Sequence, residues 1–249
     1  MTDDDLNPSA ILDLTEWAGL ENADGPAFPD TPAKLRDLVS RDPSAVASSL
    51  EHLYNSLLND GVVYSATVPA FRYVAALLGD RPSRAALAPS WEAERFPLRG
   101  KLLTWLANVA FDVSIGQEQR IREWGKYSPS EPFPDFIGIR NIYPEAFPSV
   151  SSYFDDPDVR VVEAALVAAV RFSESPALAA HRGKLAPLVG NILAQSSNDW
   201  HRRLASEALT AWEQGRVPSE THTDPSPSGE HWAGHNSQEP RSSFDEPPF

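Results

Sequence analysis

The chain has 249 residues, no cysteine and a formal net charge of −14, so thiolate catalysis, cysteine-ligated zinc and a disulfide framework are excluded. The first 60 residues hold 12 acids and 3 bases, residues 217–249 hold 6 acids and 1 base, and the intervening residues 61–216 are balanced. Because nucleic-acid binding needs a basic surface and no apolar run reaches about 18 residues, we expect neither a nucleic-acid partner nor a membrane span.

Residues 1–30 are predicted to form an N-terminal cap. Met1 to Asp5 lack the basic and apolar regions of a secretory signal, so we expect a cytoplasmic protein. A short apolar run from Ile11 to Leu14 precedes several Gly and Pro residues, which predicts a short helix or irregular segment over the exposed end of a helix stack. Acidic ends commonly serve solubility, and they also suit the steering of a basic protein partner.

Two pairs of a capping residue followed by proline mark helix starts. Thr31-Pro32 and Asp42-Pro43 each place a side-chain acceptor before a proline at the first helical position. The second of these helices carries one apolar stripe with a helical period, which predicts an amphipathic core helix. The stripe consists of Val46, Leu50, Leu53, Tyr54, Leu57 and Leu58.

A tight break at residues 59–61 separates this helix from the next, which runs to Leu78. Because two helices with so short a connection fold back on each other, residues 42–78 are predicted to be an αα-hairpin. Asp60, Tyr64 and Thr67 could form a small polar site at its mouth. In the alternative reading, Thr67 bonds to the backbone and Tyr64 packs between helices.

After a predicted helix over residues 97–113, the pattern of residue types changes. Residues 114–143 contain a short polar helix, and from residue 125 aromatic and aliphatic side chains are interleaved with Pro and Gly. This pattern predicts an irregular loop, which either has a function or packs across a helix groove. The candidate contact residues in and near the loops are Trp91, Trp124, Phe133 and Phe136.

The remaining apolar stripes predict helices that begin at Pro144, at Val161, near Leu185 and after Asn198. Residues 31–216 are therefore predicted to be one all-α domain of helical repeats. Residues 217–249 are rich in Pro, Ser and acids and have almost no aliphatic side chains, which predicts a disordered acidic tail.

The helix–turn–helix units and their spacing of about 40 residues resemble HEAT repeats, which form an α-α superhelix or short solenoid. The best match is the segment from Asp155 to Arg160, where the resemblance implies that Arg160 ties neighbouring repeats together. More narrowly, Gly61-Val62-Val63-Tyr64-Ser65-Ala66-Thr67 is similar to a segment of HEAT-repeat proteins common in actinobacteria. The chain departs from that group at residues 59–60, where a His-Gln pair is usual, and in the position of Pro69.

Sequence motifs for phosphate cradling, dinucleotide binding, zincin chemistry and esterase chemistry are absent, so we expect no cofactor and no catalytic residue. His231 and His235 have a ligand-like spacing but lie in the predicted tail, where two imidazoles bind a metal weakly. Asp155, Asp156 and Asp158 lack the Gly and Glu of a calcium loop and fit a helix N-cap instead.

The sequence thus predicts a non-catalytic scaffold that binds a protein, and the resemblance adds an immunity-type role against a toxin as a hypothesis. Some helical-repeat folds act instead as DNA glycosylases or lyases, and that alternative requires a basic groove with a buried carboxylate. A third alternative is an adaptor that holds two partners, one of them through the acidic ends.

Overall fold

The computed structural model describes residues 7–80, 83, 96–123 and 133–216, and every structural statement below concerns those residues. They are mostly helical, which confirms the predicted all-α class. The predicted tail, Trp91 and Trp124 lie outside the described residues. The helices are α1 (Pro8–Leu14), α2 (Asp30–Asp37), α3 (Pro43–Asn55), α4 (Thr67–Gly79), α5 (Leu98–Asp112), α6 (Ile115–Glu123), α7 (Pro134–Ser151), α8 (Val159–Phe172), α9 (Arg182–Asn191) and α10 (Asp199–Glu213).

Short elements connect several of these helices. Segments of 3₁₀ helix lie at Trp17–Gly19, Pro176–His181 and Leu193–Gln195. Two antiparallel β-hairpins interrupt the first part of the chain, and each is built from strands of two residues. The strands are β1 (Glu21–Asn22), β2 (Gly25–Pro26), β3 (Leu58–Asn59) and β4 (Val62–Val63).

The first part of the chain is an internal repeat of a helix–hairpin–helix unit. The order α1, β1, β2, α2 recurs as α3, β3, β4, α4. The first hairpin turns at Ala23-Asp24, between the paired Asn22 and Gly25, and the second turns at Asp60-Gly61, between Asn59 and Val62. Both Gly25 and Gly61 have positive φ. Asp60 also has φ of 49°, so both central residues of the second turn adopt the left-handed conformation that two-residue hairpin turns require.

The predicted αα-hairpin over residues 42–78 is wrong, because β3 and β4 separate its two helices. The helix α3 packs chiefly against α2, whereas α4 packs chiefly against α7 and α1. Asp42 caps α3 as predicted, since its side chain accepts a hydrogen bond from the backbone of Ser44. Thr31 does not cap α2, which begins one residue earlier, because the Thr31 side chain is buried and hydrogen-bonded to Asn22.

The centre of the molecule is an aromatic cluster to which α4, α5, α7 and α8 each contribute one side chain. Phe71 of α4 lies with its ring centroid 6.3 Å from Trp105, 6.0 Å from Tyr143 and 5.8 Å from Phe172. Tyr143 and Phe172 stack with centroids 4.6 Å apart. All four rings are buried, so this cluster fixes the relative positions of the four helices through a large apolar contact area.

Within the predicted segment 114–143, the short polar helix is confirmed by α6. The irregular loop predicted from residue 125 is wrong for residues 134–143, which belong to α7; this helix begins at Pro134 and continues through Pro144 and Pro148. A proline inside a helix removes one backbone hydrogen bond and costs about 3 kcal/mol. The apolar face of α7 extends on both sides of Pro144, and its burial offsets that cost. The buried hydrophobic side chains are Phe136, Ile139, Ile142, Tyr143, Ala146, Phe147 and Val150.

Candidate protein-binding groove

A groove with a volume of about 700 Å³ lies between α1, the segment that follows it, and the first turns of α4 and α7. We call it the α1–α4–α7 groove. Its apolar lining includes Ile11, Leu14, Leu20, Val68, Pro69 and Ile142.

The helices that form the groove are held in place by close packing. At its floor α4 and α7 approach closely, since a Cβ at Gly138 would lie 3.2 Å from Cγ1 of Val68. On the other side, Asn7 caps α1, and Ile11 and Leu12 turn its apolar face into the core. The indole Nε1 of Trp17 donates to the carbonyl of Leu12 at 3.0 Å and secures the segment that follows α1. The groove is therefore part of the packed fold.

Leu14 stands out in this groove because 85% of its side-chain surface is exposed. Most of this large aliphatic side chain is left uncovered by the residues that the structure describes, although its neighbours Ile11 and Leu12 are buried. The expectation that the apolar run 11–14 only covers a helix stack is thus wrong for Leu14. An exposed apolar side chain at the edge of an apolar groove is typical of a surface that binds a protein segment.

The charged groups of the groove are mainly acidic. Glu16 and Asp135 contribute carboxylates, and burial raises the pKa of Asp135 above its ordinary value. Arg72 contributes a guanidinium, but its Nη2 lies 3.2 Å from Oε2 of Glu145, so its charge is offset. The lining therefore combines apolar area with unbalanced negative charge, which matches a ligand that is apolar and basic.

Asp60, Tyr64 and Thr67, which were predicted to lie at the mouth of an αα-hairpin, do not form a polar site. Thr67 is fully buried, its hydroxyl donates to the carbonyl of Leu57 at 2.5 Å, and it accepts from the backbone of Tyr64 at 3.1 Å. This confirms the alternative in which Thr67 bonds to the backbone. Asp60 is exposed at the hairpin turn, and Tyr64 is half-buried. None of the three lines the groove.

The two predicted aromatic contact residues pack within the fold. Phe133 and Phe136 lie 5.1 Å apart between ring centroids, and the guanidinium of Arg122 lies 4.6 Å from the centroid of Phe133. Glu118 of α6 forms ion pairs with Arg122 and with Arg140 of α7. These contacts join α6 to α7 beside the groove, but neither phenylalanine lines it.

Within the described residues Arg160 does not form the ion pair to a neighbouring repeat that the resemblance implies, although its guanidinium lies 5.8 Å from the ring centroid of Phe96, before α5. Its guanidinium makes two hydrogen bonds to Asp158 at 3.0 and 2.7 Å within the same turn. The ion pair between distant segments is made by Arg99, which donates to both oxygens of Asp156 at 2.8 and 2.9 Å. Arg99 thus joins the start of α5 to the turn before α8, which sequence spacing alone did not indicate.

A buried carboxylate lies outside the groove, at the end of α5. Asp112 is 8% exposed, and no hydrogen bond reaches its carboxylate within the part of the chain that the structure describes. Burial raises the pKa of Asp112 to about 7, against the opposing charges of Arg171 and Arg120. The side chain of Arg171 is 3% exposed, and its Nε is buried without a hydrogen-bond acceptor. Burial of the Asp112 carboxylate without a hydrogen bond therefore costs folding free energy when the group is charged.

No protein-family model, curated protein or solved structure matches this chain. Within the described ranges, no three His, Asp or Glu side chains come together as a metal site. None of the helices in those ranges is both long enough and apolar enough to span a membrane.

Sequence reasoning missed the residues that form the groove. Leu14, Glu16 and Asp135 belong to segments that the sequence places in a cap and in a loop. Leu14 lies three residues after the buried Ile11, a spacing that predicts the same helix face, so the residue pattern held no signal for its exposure. Asp135 carried no signal either, because the prolines around it hide the start of α7.

Proposed function

We propose that this protein is a non-catalytic helical scaffold of the HEAT type and that its α1–α4–α7 groove binds a segment of a partner protein. The observation that carries the proposal is the apolar groove with Leu14 exposed at its edge. A bound segment that covers Leu14 and the groove residues Leu20 and Val68 would remove their apolar surface from water, which favours binding. An immunity-type role, in which the partner is a toxin, fits this geometry.

The composition of the groove supports a protein segment over a nucleic acid. Its carboxylates, Glu16 and Asp135, would repel a phosphate backbone, and its guanidinium is paired with Glu145. The glycosylase or lyase alternative requires a basic groove around a buried carboxylate. The buried carboxylate of Asp112 does not line this groove.

A photo-crosslinking experiment tests the proposal. The full chain is expressed in its native host with a benzophenone side chain in place of Leu14, and in a matched control in place of Val159. Both positions are exposed apolar residues, at 85% and 59%, and Val159 lies at the start of α8 outside the groove. We expect one host protein to be crosslinked from position 14 and not from position 159.

The identity of the crosslinked peptide, read by mass spectrometry, completes the test. The substitution Val68→Asp places a charge on the lining of the groove, so it should remove the crosslink from position 14. Circular dichroism reports whether the helices persist in this variant. If position 14 gives no protein adduct, or the same adducts as position 159, the groove does not bind a protein segment.

A further inference from the structure

The two β-hairpins lie side by side and form one continuous surface. The backbone of Ala23 donates to the carbonyl of Ser56 at 2.9 Å, and the backbone of Ala66 donates to the carbonyl of Glu21 at 3.1 Å. Ser65 adds a third connection, since its hydroxyl accepts from the backbone of Glu21 at 2.9 Å. We call this surface the hairpin ridge and define it as residues 20–31 and 56–67.

The hairpin ridge carries only negative charge. It contains four carboxylates and no Lys or Arg. All four carboxylates are exposed, and within the described residues none of them forms an ion pair. They belong to Glu21, Asp24, Asp30 and Asp60. Exposed like charges on adjacent turns repel one another, so the ridge attracts a cationic group more strongly than an isolated surface acid does.

Apolar groups are interspersed with these carboxylates. Phe28 is 58% exposed and lies two residues before Asp30, and Val62 is 50% exposed and lies two residues after Asp60. An aromatic face beside a carboxylate can hold a guanidinium or an ammonium group through both stacking and charge. Each hairpin segment thus displays an acid and an exposed apolar side chain two residues apart, at positions that differ between the two.

The hairpin ridge continues directly into the α1–α4–α7 groove. Leu20 and Ser65 belong to the ridge and also line the groove. Glu16, another groove residue, precedes the ridge by one 3₁₀ turn. A bound segment can therefore contact both surfaces without crossing an intervening element.

We propose that the hairpin ridge and the groove bind one segment of a partner protein, with apolar side chains in the groove and Lys or Arg side chains along the ridge. This inference rests on the proposed function and adds the chemistry of the partner. Charge complementarity selects this occupant, because four exposed carboxylates without an ion pair among the described residues disfavour nucleic acid and anionic lipid surfaces.

A random peptide library displayed on phage serves as the probe. It is selected on the full-length protein, and the enriched peptides are then measured by fluorescence anisotropy at low and at physiological salt. We expect peptides that combine aliphatic side chains with two or more Lys or Arg residues, and binding that weakens as salt is added.

Three matched variants separate the two surfaces. The ridge variant is Glu21→Gln/Asp30→Asn/Asp60→Asn, and its control, Glu51→Gln/Asp155→Asn/Glu213→Gln, removes the same charge from exposed positions outside the ridge. The groove variant is Leu14→Asp. We expect the ridge variant to weaken peptide binding about tenfold, its control less than about threefold, and the groove variant to abolish binding. Asparagine tolerates the positive φ of position 60, so the ridge variant should keep its fold, and circular dichroism verifies this.

The remaining outcomes show whether the ridge inference fails alone or together with the groove proposal. If the peptides lack basic residues and bind the ridge variant as tightly as the unaltered protein, while Leu14→Asp still abolishes binding, the ridge inference is overturned and the groove proposal stands. If Leu14→Asp leaves binding unchanged, or no peptide is enriched, both proposals fail.

Discussion

Gly61 lies with its backbone directly against the carboxylate of Asp112. A Cβ at position 61 would be 3.3 Å from Oδ1 of Asp112, and the glycine has φ of 75°. The hairpin turn and the end of α5 therefore meet at a point where one residue must have no side chain and the other carries a buried carboxylate. This junction determines how the second hairpin, and with it the hairpin ridge, sits on the core.

The substitution Gly61→Ala should destabilise the protein. An alanine in the left-handed conformation costs about 1 to 2 kcal/mol, and the new methyl group would also crowd the Asp112 carboxylate. Urea unfolding followed by circular dichroism measures the change. The control is Gly183→Ala near the start of α9, where a Cβ meets no atom within 4 Å. That variant should be as stable as the unaltered protein or slightly more stable, and equal losses in the two variants would contradict the explanation.

Replacement of Asp112 by Asn should stabilise the protein in a pH-dependent way. Because the folded protein binds the Asp112 proton more tightly than the unfolded chain does, folding stability falls as the pH rises from about 4 to about 7. A pKa raised from 3.8 to about 7 corresponds to an upper value of about 4 kcal/mol at 1.36 kcal/mol per pKa unit. Asp112→Asn removes this loss, so its gain in the free energy of unfolding over the unaltered protein should be small at pH 4 and greatest above pH 7.

Urea unfolding at pH values from 4 to 8 measures this prediction. The matched control is Asp60→Asn, which removes an exposed carboxylate on the same side of the junction and keeps Asp112, so the fall in stability assigned to Asp112 should persist in it. If Asp112→Asn and the unaltered protein show parallel pH profiles, the carboxylate is not desolvated as described. A carboxylate that lowers stability at neutral pH is also a candidate for a role that has nothing to do with folding.

The sequence predicted the elements whose start or end depends on local chemistry. Asp42 caps α3, Asp158 caps α8 and Asn198 caps α10, each by a side-chain bond to the backbone two residues later. Such bonds involve only neighbouring residues, so residue type and position suffice to predict them. For the same reason the turn at Asp60 and Gly61 was located correctly.

The errors arise where distant contacts outweigh local preference. Pro144 was expected to begin a helix, but burial of Phe136 and Ile139 against the core extends α7 in front of it. The groove depends on which helices pack together, and α4 packs on α7 from a distant part of the chain. Local pattern contains no information about that pairing, so Asp135 could not be assigned to the same surface as Leu14.

Thr67 provides a test of the buried contact that replaced the predicted polar site. The substitution Thr67→Val removes a hydroxyl that binds the carbonyl of Leu57 and the backbone N–H of Tyr64, and it leaves both groups unsatisfied. We expect a loss of about 1 to 3 kcal/mol in the free energy of unfolding. Thr67→Ser keeps the hydroxyl and loses only a methyl group, so it should cost less. If Thr67→Ser loses more free energy of unfolding than Thr67→Val, packing and not hydrogen bonding matters at this position.

The ion pair between Arg99 and Asp156 should contribute more to stability than the one between Arg160 and Asp158. Arg99 and Asp156 are 16% and 9% exposed and join α5 to the turn before α8, whereas the Arg160 side chain is 47% exposed and bonds within its own turn. Burial alone would raise the pKa of Asp156, but the hydrogen bonds and charge of Arg99 lower it below its ordinary value. The contribution of this pair is therefore present above pH 4 and is lost as the pH falls through the lowered pKa.

The comparison is made with Arg99→Gln and Arg160→Gln, measured by urea unfolding at pH 7. Arg99→Gln removes the bidentate geometry and leaves a largely buried carboxylate, so we expect a loss of about 1.5 to 3 kcal/mol. Arg160→Gln breaks an exposed pair and should change stability by less than about 1 kcal/mol. The loss in Arg99→Gln should shrink as the pH falls through the lowered pKa of Asp156, because Asp156 then becomes protonated in both proteins. If Arg160→Gln is the more destabilising variant at pH 7, then the arginine of the turn before α8, and not Arg99, holds these segments together.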